Sequence, residues 1–304
     1  MKRVLITGEG SYIGTSVEKW LLAYNRESEA FIPGRPSYQT DTISIRGEAW
    51  KDYDFSSYDT VFHVAGIAHA DVMKASEVTK KLYYRVNCDL ALETAKKARR
   101  QGVKQFIYMS SIIVYGESAP VGKSRTITGK TKPKPANFYG ASKLKAEKQL
   151  LALSDERFRV AILRPPMIYG KNSKGNYSLL AKTAGILPIF PDIKNERSML
   201  YVENLGEFVR LLMESGEGGI FYPQNREYTT TSQMVRAIAE VKGKKIRLCP
   251  ILNGLVYLGA KVPGSVGRMV NKAFGSLKYD REMSRKPEGY QLFSLKESIE
   301  RTES

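Results

Sequence analysis

Val4, Leu5 and Ile6 stand in an unbroken apolar row that closes at Thr7 and Gly8. A short run apolar on both faces predicts a parallel strand buried between two layers, at residues 2–7. Residues 12–24 have helical periodicity. Residues 38–46 hold a second strand, with β-branched positions at Thr40, Thr42, Ile43 and Ile45. A third strand at 59–66 runs into a loop of small residues, and 75–101 is a long helical region closed by Gly102. The strand at 104–111 ends in two hydroxyls, Ser110 and Ser111. A loop rich in Gly, Lys, Thr and Pro (116–136) precedes a helix carrying Tyr139 and Lys143, and a last strand at 159–164 stops at Pro165 and Pro166. Strands alternating with helices predict an α/β fold with a doubly wound parallel sheet. Ligands bind such sheets beyond the carboxyl ends of the strands, where the unusual residues of this chain fall. After residue 170 the pattern becomes mixed, with a glycine-rich loop at 171–176 and a proline-broken turn at 187–191. Residues 1–170 are therefore expected to form the sheet domain and 171–304 a smaller α/β lobe, interleaved with it in space.

Composition narrows the class. With 304 residues, 42% of them hydrophobic, the chain has enough for one large domain or one and a half small ones. Cys88 and Cys249 give neither a disulfide framework nor metal-ligand spacing, and two histidines, His63 and His69, do not build a metal site alone. A reduced, metal-free, cytoplasmic protein is expected. The first residues run straight into a strand, so no signal peptide is expected, and apolar stretches such as 251–260 fall short of the ~20 residues that span a bilayer. The 48 basic and 31 acidic residues give a net charge of +17, which steers anionic partners: nucleic acid, an anionic membrane surface or a diphosphate. The bases are scattered (Lys80, Lys81, Lys96, Lys97, Arg99, Arg100, and Lys242 to Lys245), so solvated surface is the expectation and nucleic acid is not.

Candidate chemistry then falls into place. Tyr139 and Lys143 are four apart, on one face of a helix. A phenol of pKa ~10 is a poor base at neutral pH, but an adjacent ammonium stabilises the phenolate. Gly8, Gly10 and Gly14 lie between a strand and a helix, with Ser11, Tyr12 and Ile13 among them. That context suits a dinucleotide: glycines for the turn, and free N–H groups at the helix start for the pyrophosphate. An acidic residue ending the second strand indicates NAD, and an arginine NADP. If that strand ends at Ile45, Arg46 follows it and points to NADP; a merely exposed arginine is an equal reading, and Asp41 comes too early.

These elements, in this order, resemble the extended short-chain dehydrogenase/reductase family, above all its nucleotide-sugar epimerases, dehydratases and reductases. The matching segments are the 7–14 turn, Ser110-Ser111-Ile112-Ile113-Val114-Tyr115-Gly116 and the Tyr139/Lys143 pair. They continue through Arg164-Pro165-Pro166-Met167-Ile168-Tyr169-Gly170, Gly175-Asn176, and the stretches 197–205 and 274–280, over nearly the whole chain. The resemblance implies a Rossmann-type domain that binds NAD or NADP, followed by a substrate-binding lobe. Ser11 stands where the family has a glycine, and fits if its φ is negative. The resemblance assigns the active hydroxyl to Ser111, with Ser110 the weaker candidate, and lets Asn87 tie the catalytic region together. It places Ala65 and Gly66 along the cofactor, Asp54 and Phe55 beside adenine, and Pro165 and Tyr169 near the nicotinamide. Asn176 and Arg197 fall on the substrate phosphates, Arg268 being a poorer candidate, while structural ion pairing is the competing reading of Arg197. His63 and His69 read as packed or surface histidines.

The activity so implied is that of a nucleotide-sugar enzyme of surface-polysaccharide synthesis. Tyr139, as phenolate, removes a proton at C4 while hydride passes to the nicotinamide, Lys143 lowers the phenol pKa and holds the ribose, and Ser111 positions the sugar oxygen. A UDP-sugar 4-epimerase is the leading reading. A 4-ketoreductase of a UDP-4-keto-6-deoxy sugar is the alternative, favoured by any NADP preference through Arg46. A dehydratase is disfavoured because Ile112 and Ile113, not an acidic pair, follow Ser111. A non-catalytic NAD(P) sensor usually lacks the Tyr or the Lys, and this chain has both. A homodimer is common in the family, and peripheral contact with an anionic membrane suits the charge.

Overall fold

The computed structural model describes residues 1–28, 36–68 and 75–304. Among them, one parallel sheet is built from β1 (Lys2–Thr7), β2 (Tyr38–Ile43), β3 (Thr60–His63), β4 (Gln105–Met109), β5 (Arg159–Leu163) and β6 (Gly219–Phe221). In space the strands run β2-β1-β3-β4-β5-β6. Side chains alternate across each strand, so β1 feeds two cores. Val4 and Ile6 pack with Val17, Leu21, Leu205 and Phe208, from helices Tyr12–Ser28 and Val202–Ser215. Leu5 joins the opposite core, where Ala91, Ala95, Ala146 and Leu150 come from helices Leu90–Arg100 and Phe138–Leu151. The sheet is thus doubly wound, and its strand order reverses between β1 and β3. Ligands bind at such a switch point.

The segment after 170 returns to this sheet, because β6 pairs with β5. The remaining elements gather round another core containing Tyr169, Tyr177, Phe190, Tyr201, Met234 and Ile299. Thr126–Ile127 pairs with Lys278–Tyr279, which stitches the 116–136 loop to that lobe.

Two local results depart from the sequence reading. β2 stops at Ile43 rather than Ile45, because the Ile43 carbonyl accepts the Gly8 and Glu9 amides at 3.0 and 3.2 Å, where β1 turns away. The 75–101 helical region is interrupted by a π-helical turn, Arg85–Asp89. In it the Asn87 carbonyl accepts the Tyr108 hydroxyl at 2.6 Å, which fixes Asn87 over the end of β4. Such turns concentrate at functional sites.

Candidate active site

At the switch point the 8–14 turn touches the loop after β3. Gly8 has φ of 122°, and a Cβ there would fall 2.8 Å from the Ala65 nitrogen, so only glycine allows the contact. Gly10 takes a second positive φ, 70°, with open space where its Cβ would be. Ser11 stays out of the left-handed region, and its Oγ accepts the Gly14 N–H at 3.1 Å. Serine therefore fits, and its hydroxyl caps the helix. A Cβ on Gly14 would lie 2.6 Å from that oxygen and 3.0 Å from Val64 Cγ2. The N–H groups of Tyr12 and Ile13 have no acceptor among the described residues. They open a helix of 17 residues, whose positive end suits an anion. These groups fit a pyrophosphate. The Tyr12 phenol runs inward: a Cβ on Gly170 would meet it at 2.7 Å, and burial pushes its pKa up.

Asn137 caps the helix Phe138–Leu151 by accepting the Gly140 N–H at 2.9 Å. A Cβ on Gly140 would stand 2.8 Å from the Ile113 carbonyl, so glycine presses this helix onto the short helix Ile112–Tyr115 that Ser111 caps. That contact brings Tyr139 to Ser111. Burial pushes the Tyr139 phenol up to about 12, the hydrogen bond with Ser111 works against it, and Tyr83 adds to it.

Lys143 behaves differently from the expectation that it lowers the phenol pKa. Its Nζ donates to the Met109 carbonyl at 2.7 Å and stands 4.6 Å over the Tyr108 ring, and it is not among the groups that shift Tyr139. The four-residue spacing sets the shared face, but a buried amine turns to the acceptor that solvates it. Burial pushes Lys143 down to about 7, with Glu147 opposing. A Cβ on Gly66 would lie 3.1 Å from both Lys143 Nζ and Asn87 Oδ1. Asn87 Oδ1 accepts the Ile67 N–H at 2.8 Å, and its Nδ2 donates to the Ile67 carbonyl and Ser142 Oγ at 3.1 and 3.2 Å. Asn87 thus joins the loop after β3 to the helix of Tyr139. His63 is buried, with Nδ1 2.9 Å from Thr7 Oγ1, and burial pushes its pKa down to about 3, Lys143 adding to the effect. It is a neutral packed histidine. His69 lies outside the described residues.

Sequence reasoning missed the support beneath this centre. Ser110 donates to Glu147, and Glu147 pairs with Arg164 at 2.6 Å. The signal was available: Glu147 continues the face of Tyr139 and Lys143 by another four residues.

At the adenine end Arg46 lies three residues past β2, exposed, its side chain free of partners among the described residues. Asp41 accepts the Tyr58 hydroxyl at 2.8 Å. The exposed Asp54 carboxylate accepts the Ser56 N–H and hydroxyl at 2.9 and 2.8 Å, which hold its pKa down. The Phe55 ring is fully buried with Leu5, Ile45 and Trp50, so it has no free face for adenine. The buried Pro165 accepts the Ile112 N–H at 2.9 Å, beside Ser111. The Tyr169 hydroxyl is 2.6 Å from Ser298 Oγ and accepts from Asn225 at 2.9 Å, a pillar of the smaller lobe rather than an open ring.

In that lobe Asn176 is exposed at the start of helix Asn176–Ile186. Arg197 makes no ion pair among the described residues. Its Nη1 donates to the carbonyls of Lys272, Ala273 and Gly275 at 2.7, 3.3 and 3.3 Å, closing the helix Ser265–Phe274, and burial lowers its pKa. Its other nitrogens have no acceptor among the described residues. Arg268 is exposed on the same helix.

Residues 4–222 match the NAD dependent epimerase/dehydratase family. A UDP-glucose 4-epimerase of Vibrio cholerae is 30% identical over 293 residues, 92% of this chain and 87% of its own. The N-acetyl-alpha-D-glucosaminyl-diphospho-ditrans,octacis-undecaprenol 4-epimerase of Escherichia coli O157:H7 is 26% identical over 257 residues, 80% of this chain and 73% of its own. The solved structure of a UDP-glucuronic acid 4-epimerase from Bacillus cereus, in complex with NAD, has the same fold: TM-score 0.68, 17% identity, 99% of this chain and 95% of that one. The cradle at the switch point, the Ser111/Tyr139 contact and these matches together place the protein in the NAD dependent epimerase/dehydratase family, among its NAD(P)-dependent nucleotide-sugar epimerases and reductases.

Proposed function

We propose that the protein is a 4-epimerase of a UDP-sugar that works by transient oxidation at C4. The observation that carries this reading is a partly buried Tyr139 beside Ser111, whose hydroxyl favours the phenolate, on the helix whose Lys143 borders Gly66 of the cofactor loop. When bound, NAD(P) would supply and take back the hydride. Tyr139 exchanges the proton of the C4 oxygen, and Ser111 orients that oxygen and lowers the cost of the phenolate. Lys143 and Asn87 border one corner and would hold the nicotinamide ribose, with Gly8, Gly10, Tyr12, Ile13 and Gly14 on the pyrophosphate. Arg197, mostly buried and without a carboxylate, is suited to a substrate phosphate. Asn176 would join it. The acid–base centre acts on the sugar alone. The choice of a UDP-sugar follows the V. cholerae relative, which is named a UDP-glucose 4-epimerase. Incubation with UDP-glucose and UDP-GlcNAc, followed by product analysis, should show interconversion of C4 epimers with no net cofactor use.

Two observations favour a second reading, an NADPH-dependent 4-ketoreductase. Arg46 is exposed and free of partners, as a site for a 2′-phosphate requires. With a pKa of about 12 the phenol also keeps its proton at neutral pH, the form that protonates a keto oxygen. Stoichiometric NADPH oxidation with a UDP-4-keto-6-deoxy sugar, and no epimerisation of UDP-glucose or UDP-GlcNAc, would decide for it.

A further inference from the structure

The helix Asn253–Lys261 contains Leu255, Val256, Tyr257 and Leu258, and not one of its residues is buried. Its neighbour Ser265–Phe274 buries only Gly267. Large apolar side chains stand out from this hairpin into solvent: Ile251 is 87% exposed, Leu255 67%, Leu258 64% and Met269 64%. Leu255 and Leu258 are three apart on the face of one helix, with Ile251 in the turn just before it and Met269 on the helix packed beside it, so the exposed apolar side chains are concentrated on this one hairpin. The hairpin is fastened by its opposite side. Asn271 Oδ1 accepts the Val121 N–H at 2.9 Å, and its Nδ2 donates to the Ala260 and Gly267 carbonyls at 2.9 and 2.8 Å. Tyr257 covers Gly122, where a Cβ would lie 2.9 Å from its ring. Exposed apolar side chains concentrated in this way mark an interaction surface.

Charge identifies what covers it. Residues 242–279 contain no Asp or Glu and carry eight Lys and Arg, from Lys242 to Lys278. The loop that holds the hairpin, 118–137, is also free of acids and exposes Lys123, Lys130, Lys132 and Lys134. Lys242 and Lys278 pair with Glu303 and Glu196, while the other six bases make no ion pair among the described residues. An apolar surface set among such bases complements an anionic bilayer, with apolar side chains entering the acyl boundary while ammonium and guanidinium groups meet the phosphates. Among the described residues no helix is long and apolar enough to cross a membrane, so the contact is peripheral.

We propose that residues 250–274 are a docking surface for an anionic lipid bilayer. Docking sets the bilayer against the helix end that Arg197 closes through the Lys272 and Ala273 carbonyls, next to the substrate-phosphate corner. The proposal does not depend on which sugar is turned over.

The test is co-sedimentation of the full chain with phosphatidylcholine vesicles, with and without one-third phosphatidylglycerol, at low and high salt. The wild type should bind the anionic vesicles at low salt and leave the neutral ones. The double variant Leu258→Asp/Met269→Asp removes only exposed side chains. It should keep its thermal midpoint and lose at least tenfold in vesicle partitioning, and Arg268→Gln/Lys272→Gln should lose several-fold. A wild type that stays in solution with both vesicle types overturns the proposal. So does an apolar double variant that binds undiminished. Conversion of a wild-type dimer to a monomer by that variant, with no vesicle binding by either, would assign the face to a second copy and overturn it as well.

Discussion

Glu147 and Arg164 form an almost fully buried ion pair, Oε2 to Nη2 2.6 Å, between the helix of Tyr139 and the strand that runs into Pro165. Arg164 Nε is 3.1 and 3.2 Å from the two Glu147 oxygens, and its Nη1 donates to the Tyr115 hydroxyl at 2.7 Å. Ser110 donates to the same carboxylate. Ser110 precedes Ser111, and Glu147 lies two turns beyond Tyr139. The pair therefore fixes the two elements whose side chains must meet. Well-packed apolar residues can match a buried pair in stability, which leaves positioning as its role here.

Glu147→Ala should cost ~3–5 kcal/mol, because it strands a buried guanidinium. Glu147→Leu combined with Arg164→Met should recover most of that stability and little of the turnover. Urea unfolding and kcat on the same variants separate the two effects. Full activity in the refolded double variant would show that the pair does not position Tyr139.

Tyr139→Phe removes the exchangeable proton and leaves the ring in its place against Tyr83, centroids 6.0 Å apart. Loss of general acid–base catalysis lowers rates by ~10²–10⁴. That drop should appear in kcat, while circular dichroism and the quenching of protein fluorescence by NAD(P)H stay as in the wild type. Retention of the full rate would exclude the assignment.

What could be read in the chain was local. The apolar row at 4–6 gave β1, and Gly8, Gly10 and Gly14 gave the cradle, because a positive φ or a missing Cβ leaves its mark on residue type. The Tyr139/Lys143 spacing gave a shared helical face. Which way Lys143 turns depends on the Met109 carbonyl, 34 residues away. The end of β2 depends on two amides of the first turn, and Arg197 on the far end of a helix more than 70 residues later. Contacts between distant segments are written in no single periodicity: Glu147 continues the Tyr139/Lys143 face, but its partner Arg164 belongs to another element, so the pair itself is not.

Gly140→Ala is small on paper and should be harmful here. The new methyl would sit 2.8 Å from the Ile113 carbonyl and 2.9 Å from Pro135 Cβ, closer than a methyl tolerates. Overpacking of this kind costs ~1–3 kcal/mol, and relief requires the helix to back away from Ser111. Denaturant midpoint and kcat should fall together. An unchanged kcat would mean that the helix can shift without parting Tyr139 from Ser111.

Arg197→Ala tests the substrate corner. The guanidinium bonds helix-end carbonyls, so its loss should cost ~1–3 kcal/mol of stability. Loss of a charged phosphate contact should raise KM at least tenfold with kcat little changed, since the chemistry at Tyr139 is untouched. An unaltered KM, measured well below the unfolding temperature of the variant, would leave Arg197 with the structural role alone.

His63 gives the chain an acid-sensitive point away from the reaction. Its folded pKa is about 3, against ~6.5 in the unfolded chain. The unfolded state therefore binds the proton first as pH falls. Stability from this site is complete above about pH 6.5 and is lost progressively toward pH 3, amounting to about 2 kcal/mol by pH 5. Lys143, pushed down to about 7 from ~10.4, costs stability as pH falls between those two values and adds little slope below neutrality, where it becomes protonated in both states. His63→Gln keeps a polar partner for Thr7 and removes the titration. Urea unfolding at pH 7 and pH 5 should show the wild type losing about 2 kcal/mol more than the variant between the two. Parallel pH profiles would mean that the buried imidazole can be protonated without cost, and the packed, neutral assignment of His63 would fall.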